Sequence, residues 1–157
     1  MKAYHFLMPD MTSGRGSEPP WKVGETRRAK GELKLCANGY HYSPTPFDAL
    51  SYAPGPVLCL VEVNKTGPKD SDKGCSARRK LLKAVNVEMN LRLLACRIAE
   101  DVLTIFEKEF PEDCRPRKAI ETTRRFVAGL ATREELTAAA YAAYAATAAN
   151  AAYAAYA

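Results

Sequence analysis

The stretch TREELTAAAYAAYAATAANAAYAAYA, residues 132–157, decides how this chain is organised. Its last 20 residues contain fourteen alanines, four tyrosines and no charged residue. Alanine has the highest intrinsic helix propensity, and Thr132 followed by Glu135 has the spacing of a capping box. The stretch therefore predicts one long helix that starts after Gly129 and stands apart from a body of ordinary composition.

The tyrosines of this helix recur at three-residue steps, together with Thr147 and Asn150, so they wind around the helix instead of lining one face. This pattern does not form a coiled-coil seam. We predict that the helix packs on the body or on its copy in a homo-oligomer. A membrane span is disfavoured because the tyrosine hydroxyls would need partners in lipid. The tyrosines are Tyr141, Tyr144, Tyr153 and Tyr156.

The body combines strand patterns and helix patterns. Residues 2–8 alternate as a strand buried on both faces, and residues 57–63 form a β-branched run bounded by prolines and Asn64. We therefore predict an α+β fold in four parts. They are a small α/β unit over 1–64, a polar linker over 65–75, a helical segment over 76–131 and the Ala/Tyr helix over 132–157.

Within the body, shorter patterns predict further elements. Residues 32–36 alternate as a strand, and residues 47–52 form a short helix behind a proline-rich start. An apolar stripe predicts helix from Ser76 to Phe110, either as one helix or as two helices broken near Asn86 or Asn90. The stripe begins with Leu82, Val85, Met89 and Leu93.

The five cysteines are an odd number without a C-x-x-C pair, so neither a disulfide framework nor a zinc ribbon fits. Cys59 and Cys96 lie in apolar runs and are predicted to be core residues. Cys75 and Cys114 lie among basic residues that would lower the pKa of a thiol. The N-terminal apolar stretch is too short for a signal peptide, so we expect the protein in the cytosol of its producer.

The formal net charge is +5, and all of it belongs to the body because the residues from Ala138 onward are neutral. Interspersed acids favour a solvated helix face for most of the basic residues over a phosphate-binding or acidic-partner surface. A basic nucleic-acid-binding protein remains an alternative hypothesis. The clusters include Arg78, Arg79, Lys80, Lys83, Arg117, Arg124 and Arg125.

Several segments carry a resemblance to a known group. They are residues 1–6, 18–26, 39–44, 48–52 and 57–63, with the sequence Gly-Tyr-His-Tyr-Ser-Pro at 39–44. They resemble an uncharacterised domain of bacteriophage and prophage proteins that carries alanine-rich helical extensions. The resemblance implies a phage or prophage origin and transfers no catalytic residue.

A second resemblance is to ADP-ribosyltransferases. It implies NAD as a cofactor, with His5 holding the ribose, Tyr42 and Tyr52 enclosing the nicotinamide and Glu62 stabilising positive charge on the sugar. Each residue also has a structural interpretation. His5 fits a hydrogen-bonded core histidine, His41 a turn residue, and Glu62 an outward-facing strand residue.

These observations favour a phage or prophage accessory protein that binds a host macromolecule and antagonises host defence, without enzymatic activity or cofactor. Its host-protein interface is predicted on the tail tyrosines and the basic clusters given above. The alternatives are an ADP-ribosyltransferase-like or nucleotide-binding protein that uses NAD, with His5, Tyr42, Tyr52 and Glu62 as its site, and a nucleic-acid binder.

Overall fold

A computed structural model describes the backbone of residues 1–14 and 16–154 and the side chains of the same stretches as far as Ala146. The chain divides into two compact units, a sheet unit over Met1–Glu88 and a helical unit over Met89–Ala157. The combination of an antiparallel sheet followed by helices confirms the predicted α+β fold.

The sheet unit contains five antiparallel strands and one short helix. Strands β1, β4, β5 and β2 lie side by side in that order, and β3 also pairs with β5. The elements are β1 (Lys2–Leu7), β2 (Thr26–Arg28), β3 (Tyr40–Tyr42), α1 (Pro46–Leu50), β4 (Val57–Lys69) and β5 (Gly74–Asn86).

Strands β4 and β5 form a long hairpin of 13 residues in each strand. The turn between them is closed by a 2.8 Å hydrogen bond from the Asp70 amide to the Lys73 carbonyl. The predicted polar linker over 65–75 is therefore wrong for most of its length, since the strands continue into it. Polar composition misled here because residues 64–66 and 68–71 are exposed to solvent, although Cys75 and Ser76 on the neighbouring strand are buried.

The sheet curls so that β1 contacts strands on both of its sides. Its partner on one side is β4, with His5 opposite Cys59. On the other side, Tyr4 and Ser43 exchange two backbone hydrogen bonds of 2.9 Å, which ties the residue after β3 to β1. Short β3 is thus held between β1 and β5, and the segment around it is fixed from two directions.

Strand alternation builds the core of this unit. Val57, Cys59, Val61 and Val63 point to one face of β4 and are buried, whereas Glu62 points to the other face and is exposed. Ala3 and Leu7 of β1, Leu81 of β5, Trp21 and Tyr42 complete the cluster. The predicted strands over 2–8 and 57–63 and the core position of Cys59 are confirmed.

The helix predicted to begin at Ser76 is wrong over its first eleven residues, because Ser76–Asn86 belong to β5. Leu82 and Val85 are therefore strand residues and do not belong to a helical stripe. Arg, Lys, Leu and Ala dominate this segment and favour helix locally, but pairing with β4 along its whole length overrides that preference. The predicted strand over 32–36 is also absent, since that segment has only an isolated bridge between Lys34 and Asn38.

Helix α1 begins as predicted, with Pro46 in its first turn and Thr45 as the N-cap residue. The Thr45 hydroxyl accepts a 3.1 Å hydrogen bond from the Asp48 amide, which satisfies one of the free amides at the helix start. The helix ends at Leu50, two residues before Tyr52, so the tyrosine lies in the turn that follows.

The helical unit contains α2 (Glu88–Glu109), α3 (Arg115–Val127) and α4 (Arg133–Ala154). Helix α2 has no break near Asn90, and near Asn86 the chain changes from strand to helix, so neither the one-helix nor the two-helix hypothesis holds over residues 76–110. Cys96 and Leu103 of α2 pack with Ile120 of α3. Two ion pairs add to this contact, Glu100 with Arg124 and Glu107 with Arg117, each through two hydrogen bonds.

Helix α4 begins with the predicted capping box. The Thr132 amide donates to the Glu135 carboxylate at 2.6 Å, and the Glu135 amide donates to the Thr132 hydroxyl at 3.1 Å. Leu136 is buried in the first turn of the helix. The last three predicted helical residues, 155–157, lie outside the described part of the chain.

Candidate functional site

Arg79 occupies a core position of the sheet. It lies on the same face of β5 as the buried residues Cys75 and Leu81, and it is 3% exposed. A buried guanidinium requires compensating partners because moving a charge out of water is costly. The expectation that Arg79 contributes to a surface cluster is therefore wrong, and its burial points to the interior of the sheet unit.

The partners of Arg79 come from loops and from β3. Its Nη1 donates a 2.9 Å hydrogen bond to the His41 carbonyl. Its guanidinium carbon lies 4.5 Å from the centroid of the Trp21 ring and 5.0 Å from that of Tyr40. These distances suit cation–π attraction, which is strongest where water is excluded.

Glu18 provides the negative charge of this cluster. Its carboxylate accepts a 3.2 Å hydrogen bond from Trp21 Nε1 and forms a 3.3 Å ion pair with Arg27. Arg27 in turn stacks on Trp21 at 4.1 Å. Burial lowers the pKa of Arg79 to about 10, an effect that the charge of Glu18 opposes. Arg79 therefore stays protonated at neutral pH.

His5 lies beside this cluster on the core-facing side of β1. Its Nε2 atom is buried and has no hydrogen-bond partner, and no other buried side-chain nitrogen or oxygen in the described residues shares this condition. Burial holds the pKa of His5 well below its usual value, and the charge of Arg79 lowers it further. His5 is consequently a neutral imidazole at pH 7 with an unused hydrogen-bonding nitrogen.

A cavity of about 1040 Å³ brings these groups together. Among the residues that the structure describes, its charged lining residues are Glu18, Lys73 and Arg79, and His5 and His41 line it as well. The lining includes four tyrosines, Tyr4, Tyr40, Tyr42 and Tyr52. The structure thus places His5, Tyr42 and Tyr52, three of the four residues suggested by the ADP-ribosyltransferase resemblance, around one space.

Polar contacts join Tyr52 of the cavity lining to the turn between β4 and β5. The Tyr52 hydroxyl donates a 2.6 Å hydrogen bond to Asp72, and Lys73 Nζ lies 4.5 Å from the centroid of the Tyr52 ring. The hydrogen bond to Asp72 raises the pKa of Tyr52. These contacts connect the turn after α1 to the β4–β5 hairpin, so Lys73 is held next to a tyrosine of the cavity.

His41 fixes the loop before β3. Its Nε2 accepts a 2.7 Å hydrogen bond from the Cys36 amide, and Cys36 itself has a positive φ of 62°. Burial lowers the pKa of His41, so the imidazole is neutral and free to accept this bond. His41 itself belongs to β3, so its interpretation as a turn residue is wrong, although its imidazole holds the turn that precedes the strand.

Glu62 does not line the cavity. Strand alternation puts it on the exposed face of β4, opposite Lys80 of β5, while His5 contributes to the other face. The outward-facing interpretation of Glu62 is the one the structure supports. Among the described lining residues, Glu18 is the carboxylate, and its hydrogen bond and ion pair already engage it with Trp21 and Arg27.

The remaining basic residues of β5 lie outside this site. Arg78 and Lys80 point away from the core, where Arg78 lies opposite Arg28 of β2, and Lys83 is exposed further along the strand. Their predicted helix face is a sheet face. Cys75 is fully buried, and burial raises the pKa of its thiol, so the idea that basic neighbours activate it is wrong.

The predicted interface residues of the helical unit have different roles. Arg117 and Arg124 are engaged with Glu107 and Glu100, and Arg125 donates a 3.0 Å hydrogen bond to the Leu130 carbonyl after α3. Tyr141 and Tyr144 are 71% and 76% exposed. The side chains of Tyr153 and Tyr156 lie outside the described residues.

A groove of about 550 Å³ lies beside these tyrosines. It is lined by Arg92 of α2, Thr123 of α3 and several residues of α4. The α4 residues are Arg133, Leu136, Thr137, Ala140, Tyr141 and Tyr144. The first three turns of α4 therefore combine aromatic, apolar and cationic groups at one surface.

Helix α2 has a second apolar face, which was not among the predicted interface residues. Leu94, Ile98, Val102 and Ile105 follow one another at helical spacing and are 42%, 59%, 56% and 67% exposed. They lie on the side of α2 away from Cys96 and Leu103, which pack on α3. Contiguous exposed apolar stripes of this kind are uncommon on monomeric soluble proteins.

Two further properties concern the described residues only. No set of three or more His, Cys, Asp or Glu side chains there is placed to hold a metal ion. None of the described helices is both long enough and apolar enough to cross a membrane.

Comparisons with known families divide the chain at nearly the same point as its fold. Residues 1–93, more than half of the chain, match the model of a family described as Domain of unknown function (DUF7666). Residues 86–157 match a model described as "Imm-5 like putative immunity protein". No curated protein matches the chain. No solved structure matches it either.

Proposed function

Since the chain belongs to the DUF7666 family, whose description gives no function, we propose from its own surfaces that it is an immunity-type accessory protein that binds a protein partner. The match of residues 86–157 to an immunity-protein model supports this class of function for the helical unit. A phage or prophage origin and a target in host defence, which the sequence resemblance implies, belong to the same proposal.

The observation that carries the proposal is the exposed stripe of α2. Residues Leu94, Ile98, Val102 and Ile105 expose apolar side chains on a helix whose opposite face already packs on α3. Removing such side chains from water on binding yields about 25 cal/mol per Å² of apolar area. A binding partner that covers this stripe would therefore stabilise α2 on the face that α3 leaves open. An apolar stripe at i, i+4, i+8 and i+11 suits a groove on a protein.

The groove beside Tyr141 and Tyr144 supports the same function. Tyrosine is enriched among the residues that dominate binding energy because it buries a large area and keeps a polar tip. Arg117 and Arg124 are assigned a structural role instead, since their ion pairs join α3 to α2. The charge reversal of Arg124 would therefore disturb the helical unit as well as any interface.

A matched pair of variants tests the proposal. Ile98→Asp and Thr104→Asp each add one carboxylate to an exposed position of α2, but only the first lies on the stripe. Full-length wild type and both variants are immobilised and used to capture proteins from a bacterial lysate, with circular dichroism as the fold control. We expect one recurrent partner that Thr104→Asp retains and Ile98→Asp loses.

Two results would contradict this function. One is a partner that binds wild type and Ile98→Asp equally, which would remove the stripe from the interface. The other is light scattering that finds purified wild type as an oligomer and purified Ile98→Asp as a monomer, with no other protein captured. That outcome would assign the stripe to self-association. Nucleic acid recovered in a salt-sensitive manner would favour the nucleic-acid alternative.

A further inference from the structure

The cavity of the sheet unit has the composition of a ligand site. We infer that it binds a small organic anion with a planar ring, for which His5 Nε2 is the buried polar contact and Arg79 and Lys73 supply the positive charge. This site differs from the protein-binding surface proposed above, because its described lining residues all belong to the sheet unit.

The unpartnered nitrogen of His5 carries the inference. A buried polar atom without a hydrogen bond costs on the order of 1–3 kcal/mol, and native proteins retain few of them. His5 lies opposite Cys59 in the pairing of β1 with β4, and it also lines the cavity. A polar group of a ligand in the adjoining cavity would satisfy Nε2 and recover that free energy.

The charges of the cavity favour an anion. Arg79 and Lys73 contribute two positive charges to the lining, and Glu18 contributes one negative charge. Glu18 is already paired with Arg27, whose guanidinium lies 3.3 Å from its carboxylate. The formal charges of the described lining residues therefore sum to +1, and a phosphate or carboxylate would be stabilised there by charge-assisted hydrogen bonds.

The tyrosines favour a planar ring. Tyr4, Tyr40, Tyr42 and Tyr52 all line the cavity, and aromatic walls bind flat rings by stacking and by burial of apolar area. The volume of about 1040 Å³ lies at the upper end for small-molecule pockets and accommodates a ring with an attached anionic group. Nucleoside monophosphates and aromatic carboxylates share this chemistry.

Titration calorimetry on the full-length protein tests the site. The probes are the four common nucleoside 5′-monophosphates, 4-hydroxybenzoate, ribose 5-phosphate and inorganic phosphate. We expect at least one ring-bearing anion to bind, and the anions without a planar ring to bind much more weakly. A nucleotide response without a benzoate response identifies the nucleotide source, and the reverse identifies the carboxylate source.

Variants keep the test specific. Lys73→Ala should weaken the bound probe roughly tenfold, as expected for the loss of one charge-assisted contact. Lys80→Ala is the matched control, since Lys80 lies on β5 of the same hairpin but outside the cavity, whereas Lys73 lies in the hairpin turn. In ¹⁵N-histidine NMR spectra, the Nε2 resonance of His5 should shift on binding while the fold remains unchanged.

Three results would overturn the inference. The first is the absence of binding by every ring-bearing probe at millimolar concentration. The second is an equal loss of affinity in Lys73→Ala and Lys80→Ala, which would indicate non-specific attraction to a basic surface. The third is binding that leaves the His5 resonance unchanged, which would place the ligand elsewhere.

Discussion

At the scale of single residues, Arg79 and His5 distinguish the sheet unit from an ordinary apolar core. Arg79 is a cation and His5 a neutral imidazole, and each lies on the face of its strand that carries buried apolar residues. The cation is compensated by rings, by a carbonyl and by the charge of Glu18. The imidazole nitrogen is not compensated, so His5 is where the folded protein stores an unfavourable contact.

His5 makes the stability of the sheet unit dependent on pH. Its pKa is lowered in the folded state, so between that value and the unfolded value of about 6.5 the unfolded chain binds the extra proton. Stability is therefore complete above about pH 6.5 and falls as the pH is lowered, by at most about 1.4 kcal/mol per pH unit for one proton.

Urea unfolding followed by Trp21 fluorescence at pH 7.5 and pH 5.5 measures this effect. His5→Leu should lose less stability than wild type between the two pH values, since it lacks the titrating group. The lowered pKa of His41 also reduces stability at low pH, but His41 is present in both proteins. The difference between their losses of stability therefore reports on His5. Equal losses in the two proteins would show that His5 titrates normally in the folded state.

At the scale of elements, α4 shows the closest agreement between local sequence and structure. Thr132 and Glu135 form the reciprocal capping contacts that their spacing predicts. Thr132→Ala should destabilise the helical unit by about 1 kcal/mol, the usual cost of losing an N-cap side chain. Circular dichroism at 222 nm during urea unfolding measures the change.

Thr137→Ala is the control for the capping contact. Thr137 is an exposed residue of the same helix, and alanine has the higher helix propensity, so this change should leave stability unchanged or raise it slightly. A loss of stability in Thr137→Ala equal to that in Thr132→Ala would mean that the hydroxyl of Thr132 does not act as a cap.

Strand β5 shows where local reasoning fails. The segment from Ala77 to Lys83 has the composition of a helix, and its partner β4 was recognised only as far as Val63. The partner decides the outcome, because β4 pairs with β5 through ten register positions from Val57 to Lys69. Such pairing is a non-local property, and a single segment does not reveal it.

The candidate site was only partly predictable, because it also depends on contacts between segments far apart in the sequence. His5, Tyr42 and Tyr52 were singled out because a resemblance pointed to them, and the fold does bring them to one cavity. Arg79 was assigned to the surface with its neighbours in sequence. Its burial depends on Trp21, Tyr40 and His41, which approach from loops and a strand that lie about 40 to 60 residues earlier in the chain.

At the scale of the whole molecule, the chain consists of two units with separate cores. One core is built from residues of the sheet unit, and the other joins Cys96, Leu103 and Ile120. The family matches overlap only over residues 86–93, which include the end of β5 and the start of α2. We therefore expect the two units to respond separately to core substitutions.

Two probes separate the units without dividing the chain. Trp21, the single tryptophan, reports on the sheet unit, and ellipticity at 222 nm reports mainly on the helical unit. Leu81→Ala should lower the urea midpoint measured by fluorescence, and Leu103→Ala should lower the midpoint measured by ellipticity. Each change corresponds to a loss of about 2–4 kcal/mol in the free energy of unfolding of that unit. Identical shifts in both signals for either variant would show one cooperative unit instead.

The central claim is that the protein acts by binding a protein partner through the exposed stripe of α2. Hydrogen–deuterium exchange on the full-length protein, alone and with its captured partner, tests this claim most directly. We expect new protection over residues 91–105 of α2, with the sheet unit unchanged. Protection confined to residues 1–86, with α2 exchanging as in the free protein, would contradict it.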